Sequence, residues 1–412
     1  MDSDVAVAVI DSGIDLNSGI FQRNKDRFIG FYSCETDIFI ENYDEALEST
    51  LFIDPSGHGS AVTEIVLNNT TRVKLLIIKL RETVQNGFII TTALMEALDF
   101  ATKYSIRLNL PMVINVSYGT NYGSHSGDSL LEEYMDETSY LSRLSIVTGS
   151  GNNGDKRLHT DISLDNTSYK TTEIFVDSYT RAINIGIWSD SNDIYDITMI
   201  TPAAEEITLS SGTGQYKLSE QTILCARRNA TFYSRFSESL IVVVSNNDYV
   251  IPGIYRLLFK PRKILSGNVN IWIIPGSSES EGVFFLSPNP YVTLTIPSTT
   301  KNVISVGAYN QNNFSVPPFS GRGNPTSGLP KPDVVARGVN IYSEALDTRI
   351  SGTSFAAPYV SAKCAELMYD GIVLQNDIYL YGERLKQAII NSAVRLTGES
   401  YPNPTSGWGY IL

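Results

Sequence analysis

Nearly continuous apolar runs in the first half of the chain restrict its fold more than any other feature of the sequence. Three of them follow one another: Val5–Ile10, Leu75–Leu80 and Met112–Val116. A strand that is apolar at almost every position needs cover on both faces, as in the centre of a parallel sheet. Apolar residues recur at helical spacing in Thr91–Tyr104 and Leu130–Arg143, and Leu144–Thr148 is again typical of a strand. Strands that alternate with helices predict βαβ units and a doubly wound, mostly parallel α/β sheet.

Residues 155–297 follow a different pattern. Short alternating runs such as Leu240–Val244 are separated by polar turns, which is typical of an antiparallel β-sandwich. An apolar strand returns at Val303–Ala308. We therefore expect one α/β domain formed by residues 1–154 and 298–412, with a β-sandwich of residues 155–297 inserted into it.

Composition argues against several classes of protein. The net charge is −13, from 44 acidic and 31 basic residues, so a nucleic acid would be repelled. A neutral or basic polypeptide partner is compatible with this charge, and so is a charge that only keeps the protein in solution. No apolar run approaches the length of a membrane span. The three cysteines, Cys34, Cys225 and Cys364, are widely spaced, which argues against a disulfide framework and a thiolate metal site.

Two short segments carry residues suited to proton transfer. Asp11 opens an Asp-Ser-Gly sequence at the end of a buried strand, where catalytic groups gather in open α/β sheets, although the same sequence is ordinary turn chemistry. His58 lies between two glycines and is either a general base or a loop histidine. The other histidines, His125 and His159, lie in polar segments that predict loops.

Ser354 lies among small residues where a helical pattern begins, and this pattern runs from Thr353 to Met368. Backbone N–H groups at a helix N-terminus can hold a developing oxyanion; a plain N-cap is the alternative. A serine hydroxyl needs a base to take its proton, and the base needs an acid to orient it. Asp11, His58 and Ser354 supply these groups in a chain order known from serine proteases.

The sequences Asp-Ser-Gly, Gly-His-Gly and Gly-Thr-Ser-x-Ala-x-Pro, in this order, resemble the subtilase (subtilisin-like) family over about Val5–Thr148 and Val303–Leu412. The resemblance implies a catalytic triad of Asp11, His58 and Ser354. It implies an oxyanion donor at Asn152, for which a turn asparagine is the alternative. It also implies that substrate lies extended along Ser117, Tyr118 and Gly119, and that this segment and Gly149, Ser150 and Gly151 form opposite walls of the pocket for the residue before the scissile bond.

Within the family, the chain resembles the clostridial Csp-type germination proteases. The patterns that carry this resemblance lie at residues 118–127, at Gly253–Arg256 with Gly267 and Trp272, and at residues 297–309. These proteases have a jelly-roll insertion, which implies the same topology for residues 155–297. Because no secretory signal opens the chain and no cysteines are paired, we expect a cytoplasmic or a cell- or spore-associated protein rather than a secreted one.

Two departures from the family pattern matter. The segment between Leu67 and Leu75 is short where many subtilisins have a calcium-binding loop. High-affinity calcium at this position is therefore not expected, although calcium stays possible. The triad chemistry requires no cofactor, and we expect no metal site. No prodomain precedes Asp11, so we expect either its removal before residue 1 or folding without it.

The sequence as a whole predicts a serine endopeptidase that cleaves polypeptides through an acyl-enzyme and is dedicated to a specific pro-protein or leader peptide. Two alternatives stay open. One is a catalytically silent regulator with a subtilase fold. The other is a protein whose inserted β-sandwich is the main recognition module, although its tryptophans, Trp188 and Trp272, are more typical of a core.

Overall fold

The computed structural model describes residues 4–81, 84–85, 88–89, 91–141, 143–209, 211–228, 234–275, 282–326 and 328–412. In these ranges the α-helices are α1 (Gly19–Arg23), α2 (Tyr43–Glu48), α3 (His58–Asn68), α4 (Thr91–Leu108), α5 (Leu130–Tyr140), α6 (Thr353–Met368) and α7 (Gly382–Ser392). No described helix combines the length and the apolar character that crossing a membrane requires.

The strands of the α/β part are β1 (Val5–Asp11), β2 (Phe28–Ser33), β3 (Ile38–Ile40), β4 (Val73–Lys79), β5 (Val84–Gln85), β6 (Phe88–Ile89), β7 (Met112–Val116) and β8 (Leu144–Gly149). The next group is β9 (His159–Ser163), β10 (Lys170–Val176), β11 (Ala182–Asp190), β12 (Ile194–Ile200), β13 (Glu206–Thr208), β14 (Thr213–Lys217), β15 (Gln221–Arg228), β16 (Phe236–Ser245), β17 (Gly253–Lys263), β18 (Asn268–Ile273) and β19 (Val283–Phe285). The last strands are β20 (Ile304–Tyr309), β21 (Val334–Arg337), β22 (Ile341–Ser343) and β23 (Thr348–Ile350).

A mostly parallel sheet forms the core of the α/β part, in the order β21-β20-β8-β7-β1-β4-β2-β3. Its pairings are parallel except that between β2 and β3. β1 is central, and every one of its residues is buried. Its odd-numbered apolar residues pack in a cluster with α3 and α6, and its even-numbered ones pack in a cluster with α4 and α5. The predicted fold class is therefore confirmed, because side chains that alternate across a strand meet helices on both faces.

One predicted helix boundary is wrong. The helical pattern was expected to continue to Arg143, but α5 ends at Tyr140, and Leu141 is already extended. The carbonyl of Arg143 accepts a hydrogen bond of 3.0 Å from the backbone N–H of Met112. The chain must therefore leave the helix early enough to join the sheet at Leu144.

Two antiparallel sheets, in the orders β13-β12-β17-β10-β19 and β14-β15-β16-β11-β18-β9, form the predicted β-sandwich. One apolar cluster, which includes Ile174, Ile185, Ile241 and Tyr255, contains residues of both sheets. The strands of both sheets lie between His159 and Phe285. The precise domain boundaries stay a prediction.

Trp272 of the sandwich stacks on two histidines where the sandwich meets the α/β part. Its ring centroid lies 4.1 Å from that of His125 and 4.8 Å from that of His159. The prediction of a loop is confirmed for His125, which lies outside the helices and strands, and is wrong for His159, which begins β9. Both side chains are buried. Trp188 and Trp272 are buried, which confirms the prediction that they are core residues.

A buried cluster of charges ties the end of the parallel sheet to α7. Asp333 pairs with Lys331 at 2.8 Å and with Lys386, on α7, at 2.9 Å. Burial lowers the pKa of Lys331, although the charge of Asp333 acts in the opposite direction. Asp333 therefore offsets the cost of burying two ammonium groups.

Asp333→Ala should lower the free energy of unfolding by about 3–5 kcal/mol, because it leaves two buried cations without their anion. Asp196→Ala is the matched control. It removes a pair with the exposed side chain of Arg262, for which we expect a loss of less than about 1 kcal/mol. Urea unfolding of both variants checks this prediction, and equal losses would contradict it.

Candidate active site

Asp11 and His58 are joined by a hydrogen bond at the carboxyl end of the central strand. Asp11 is the last residue of β1 and His58 is the first residue of α3. The His58 Nδ1 atom lies 2.7 Å from Asp11 Oδ1, which also accepts the backbone N–H of Ser12 at 2.7 Å. Asp11 is only 6 % exposed, whereas 32 % of the His58 side chain is exposed. The pair thus has a buried acid and an imidazole that is accessible from outside.

The two glycines beside His58 allow α3 to begin against the end of β1. Gly57 has a φ of +72°, and a Cβ there would lie 2.3 Å from the Leu346 side chain. A Cβ on Gly59 would lie 2.3 Å from the carbonyl oxygen of Gly13 and 3.1 Å from the Asp11 Cβ. A larger residue at Gly59 would collide with the backbone beside Asp11 and separate α3 from the end of β1, whereas one at Gly57 would be strained by the positive φ.

The surroundings of His58 favour its protonated form. Burial lowers the pKa of His58, but the charge of Asp11, the hydrogen bond to it and the charge of Asp54 outweigh burial and raise that pKa above its ordinary value. By contrast, burial lowers the pKa of His125 to about 4 and also lowers the pKa of His159. His58 is therefore the histidine whose cationic state the fold stabilises, as a general base requires.

Ser354 is the second residue of α6, and a proline four residues later shapes its surroundings. In a regular helix the N–H of residue 358 would donate to the carbonyl of Ser354, but Pro358 has no N–H. The hydroxyl of Ser117 donates to that carbonyl instead, at 3.1 Å, and the Asn115 side chain donates to Ser117 at 2.9 Å. The helix start that carries Ser354 is thus tied to the segment that follows β7.

The residue that follows Ser354 packs beside His58. The ring of Phe355, the next residue, lies 5.2 Å from the His58 ring, centroid to centroid. A cavity of about 610 Å³ is lined by Asp11 and His58, and a cavity of about 310 Å³ is lined by Ser354. Both cavities are also lined by Ser117 and Tyr118. Asp11 and His58 are hydrogen-bonded to each other. Among the described residues it is Phe355, next to Ser354 in the chain, that packs beside the His58 ring, and no hydrogen bond joins His58 to Ser354.

Asn152 caps the helix that carries Ser354. Its side-chain oxygen accepts the backbone N–H of Thr353 at 2.9 Å and the Thr353 hydroxyl at 3.1 Å. The N-cap residue of α6 is Gly352, which has no side chain to do this. Because the amide oxygen is occupied by donors, the Nδ2 end of Asn152 is left to donate to a ligand in the smaller cavity that it lines.

Five of the six residues expected to form the substrate walls line the smaller cavity, namely Ser117, Tyr118, Gly119, Gly149 and Gly151. Ser150 does not line it: the residue is fully buried, and its carbonyl accepts the N–H of Thr295 at 3.0 Å.

No cluster of three or more His, Cys, Asp or Glu side chains that could hold a metal ion occurs among the described residues.

Thr295 is a residue of this cavity that the sequence patterns did not indicate. A Cβ on Gly119 would lie 2.3 Å from Thr295 Oγ1, and a Cβ on Gly151 would lie 2.6 Å from Thr295 Cγ2. The Thr295 side chain therefore fills the space between the two walls. Its position in the chain, where the inserted sandwich returns to the α/β part, carries no local motif that could have revealed it.

Comparison with known proteins shows which family and fold the chain resembles. The model of the subtilase family matches residues 2–409. The CspB protease of Clostridium perfringens has 30 % identical residues and a TM-score of 0.89, with 100 % of this chain and 91 % of that chain covered. Sphericase has a TM-score of 0.51 at 14 % identity, covering 99 % and 91 % of the two chains, and is similar in fold alone. The subtilisin-like protease SBT6.1 of Arabidopsis thaliana is 34 % identical over 117 residues, which are 26 % of this chain and 11 % of that protein.

In an NMR titration, the His58 ring should titrate above the ordinary histidine pKa of about 6.5, and His125 should titrate near pH 4. Asp11→Asn should lower the pKa of His58, because burial then acts without the charge of Asp11. His125 is the internal control and should be unaffected. An unchanged His58 titration in the variant would contradict the assigned contact.

Proposed function

Because the chain belongs to the subtilase family of serine proteases, we propose that it is a serine endopeptidase. In this proposal Ser354 is the nucleophile, His58 is the general base and Asp11 orients His58. The observation that carries the proposal is the hydrogen bond of 2.7 Å between Asp11 and His58, beside the cavity that Ser354 lines.

The proposed reaction follows from the roles of these three groups. The Oγ atom of Ser354 attacks the carbonyl carbon of the scissile bond while His58 Nε2 takes the hydroxyl proton. His58 then gives this proton to the leaving amine, and an acyl-enzyme remains on Ser354. A water molecule, activated by His58 in the same way, releases the new carboxylate. Asp11 keeps Nδ1 protonated and stabilises the imidazolium that forms in each step.

Two N–H donors would bind the oxyanion of the tetrahedral intermediate. One is the Nδ2 group of Asn152, whose amide oxygen is fixed by Thr353. The other is the backbone N–H of Ser354, which lies in the first turn of α6 and so has no partner within the helix. Such a donor is worth about 2.7–4 kcal/mol in the transition state.

We propose that the substrate is a polypeptide that lies extended along Ser117–Gly119, and that it is a specific pro-protein or leader peptide. The side chain before the scissile bond would enter the cavity of about 310 Å³. No charged side chain lines that cavity among the described residues, which favours an uncharged group there. The Thr295 side chain limits the size of the substrate group that this cavity accepts.

A fluorophosphonate probe tests the proposed nucleophile. It should label the wild-type chain at Ser354, and Ser354→Ala should lose both labelling and peptidase activity while its circular dichroism is unchanged. Ser351→Ala, three residues earlier, is the matched control and should still be labelled. A folded wild-type chain that does not react would refute the proposal and would fit a silent regulator instead.

Thr295→Ala should increase cleavage after large apolar residues relative to small ones. The change removes a hydroxyl and a methyl group from between the cavity walls, and groups of this size in a pocket alter selectivity roughly 10–200-fold. Product analysis with a peptide library measures the ratio of kcat/KM values, with Thr295→Ser as the smaller change. An identical ranking of substrates in all three proteins would contradict the role of Thr295.

A further inference from the structure

A second carboxylate, that of Asp54, lies behind the Asp11–His58 pair. It accepts five hydrogen bonds of 2.7–3.0 Å, from the hydroxyls of Ser12, Ser56 and Ser60 and from the backbone N–H groups of Gly57 and Ser60. Burial alone would raise the pKa of Asp54, but these hydrogen bonds lower it below its ordinary value. Asp54 is therefore an anion near neutral pH.

Asp54 fixes the start of the helix that presents His58. Gly57, the N-cap residue of α3, makes no side-chain capping bond. The backbone N–H groups of Gly57 and Ser60, on either side of the histidine, donate to the two oxygens of Asp54 instead. A negative charge is also favourable at this end of a helix. The backbone of His58 is thus held by a residue four positions before it.

The hydroxyl of Ser12 lies between the two carboxylates. Its oxygen is 2.7 Å from Asp54 Oδ1 and 3.1 Å from Asp11 Oδ1. The hydroxyl has one proton to donate, so it can serve only one of these anions at a time. The shorter distance assigns the proton to Asp54. The Asp11 Oδ1 atom, which lies 2.7 Å from His58 Nδ1, then keeps more of its negative charge for the imidazole.

We propose that Asp54 is a positioning residue for catalysis. It holds the Ser12 proton away from Asp11 and anchors the first turn of α3, and both effects strengthen the hydrogen bond between the Asp11 carboxylate and the His58 imidazole. This inference rests on the proposed function. Asp54 makes no hydrogen bond to the His58 ring and does not line the cavity that Ser354 lines. It acts through Ser12, through the helix backbone and through the effect of its charge on His58.

The other charged groups near His58 do not share the role of Asp54 as the acceptor for the Ser12 hydroxyl and for the first turn of α3. Glu35, Lys79 and Arg81 line the same cavity as His58. Lys79 donates to the carbonyl of Ile53 at 2.8 Å, and Arg81 pairs with Glu96 at 2.8 Å. Asp54 is not a hydrogen-bond partner of Lys79 or Arg81.

Asp54→Asn tests the proposal, because it leaves Asp11 as the only charged acceptor for the Ser12 proton. The rise of kcat/KM with pH reports the loss of the His58 proton. We expect this rise to move to lower pH, and kcat to fall roughly tenfold with KM unchanged, on the scale of one charge-assisted hydrogen bond. Ser60→Ala also removes a bond to Asp54 but leaves its charge and Ser12 in place, and its pH profile should match that of the wild type.

The Ser12→Ala background separates the two parts of the proposal. Without the Ser12 hydroxyl, Asp54→Asn should shift the pH profile by less than it does in the wild type. If Asp54→Asn fails to fold, Asp54→Ser, which keeps a hydroxyl for the helix N–H groups, takes its place. A wild-type enzyme that reacts with the fluorophosphonate, together with an Asp54 variant whose pH profile is unchanged, would overturn this inference and leave the proposed function intact. An equal shift in both backgrounds would overturn the part assigned to Ser12.

Discussion

The contact between the Asp11 carboxylate and the His58 imidazole depends on the end of a buried strand meeting the start of a helix. At 2.7 Å this contact leaves no room for a side chain on Gly59, which packs against Gly13 and Asp11. It also gives His58 a raised pKa, because the charge and the hydrogen bond of Asp11, with the charge of Asp54, outweigh the effect of burial. One close approach, between the end of β1 and the start of α3, therefore determines where the acid lies, why glycines flank the base and how the site is charged.

The two helices that carry His58 and Ser354 are built in the same way. Each begins after a glycine that cannot cap it, Gly57 for α3 and Gly352 for α6. In each case another side chain supplies the missing acceptor: Asp54, three residues before Gly57, for α3, and Asn152, from a distant part of the chain, for α6. Glycine at the N-cap lets the helix start approach its neighbours closely, and the capping side chain then fixes its position. In α6 the cap is also the proposed oxyanion donor, so helix stability and catalysis depend on the same amide.

Much of this arrangement could be predicted from the sequence, since it follows from local patterns. The apolar runs revealed the parallel strands because both faces of such strands are buried, and the glycine-flanked motifs indicated Asp11, His58 and Ser354. What the sequence did not reveal depends on contacts between distant segments. Thr295 lies in no motif, and it reaches the cavity only because the sandwich returns between Gly119 and Gly151. His125 and His159 are in polar stretches, but both stack on Trp272, which is distant from them in sequence.

A crystal structure after treatment with a peptide chloromethyl ketone would test most directly whether the hydroxyl, the imidazole and the amide converge on one reacting carbonyl. The expected result is a single adduct bonded to both Ser354 Oγ and His58 Nε2, with its oxygen accepting from Asn152 Nδ2 and with the Asp11–His58 bond retained. An adduct on another side chain, or one on His58 with Ser354 too distant to join it, would contradict the proposed site.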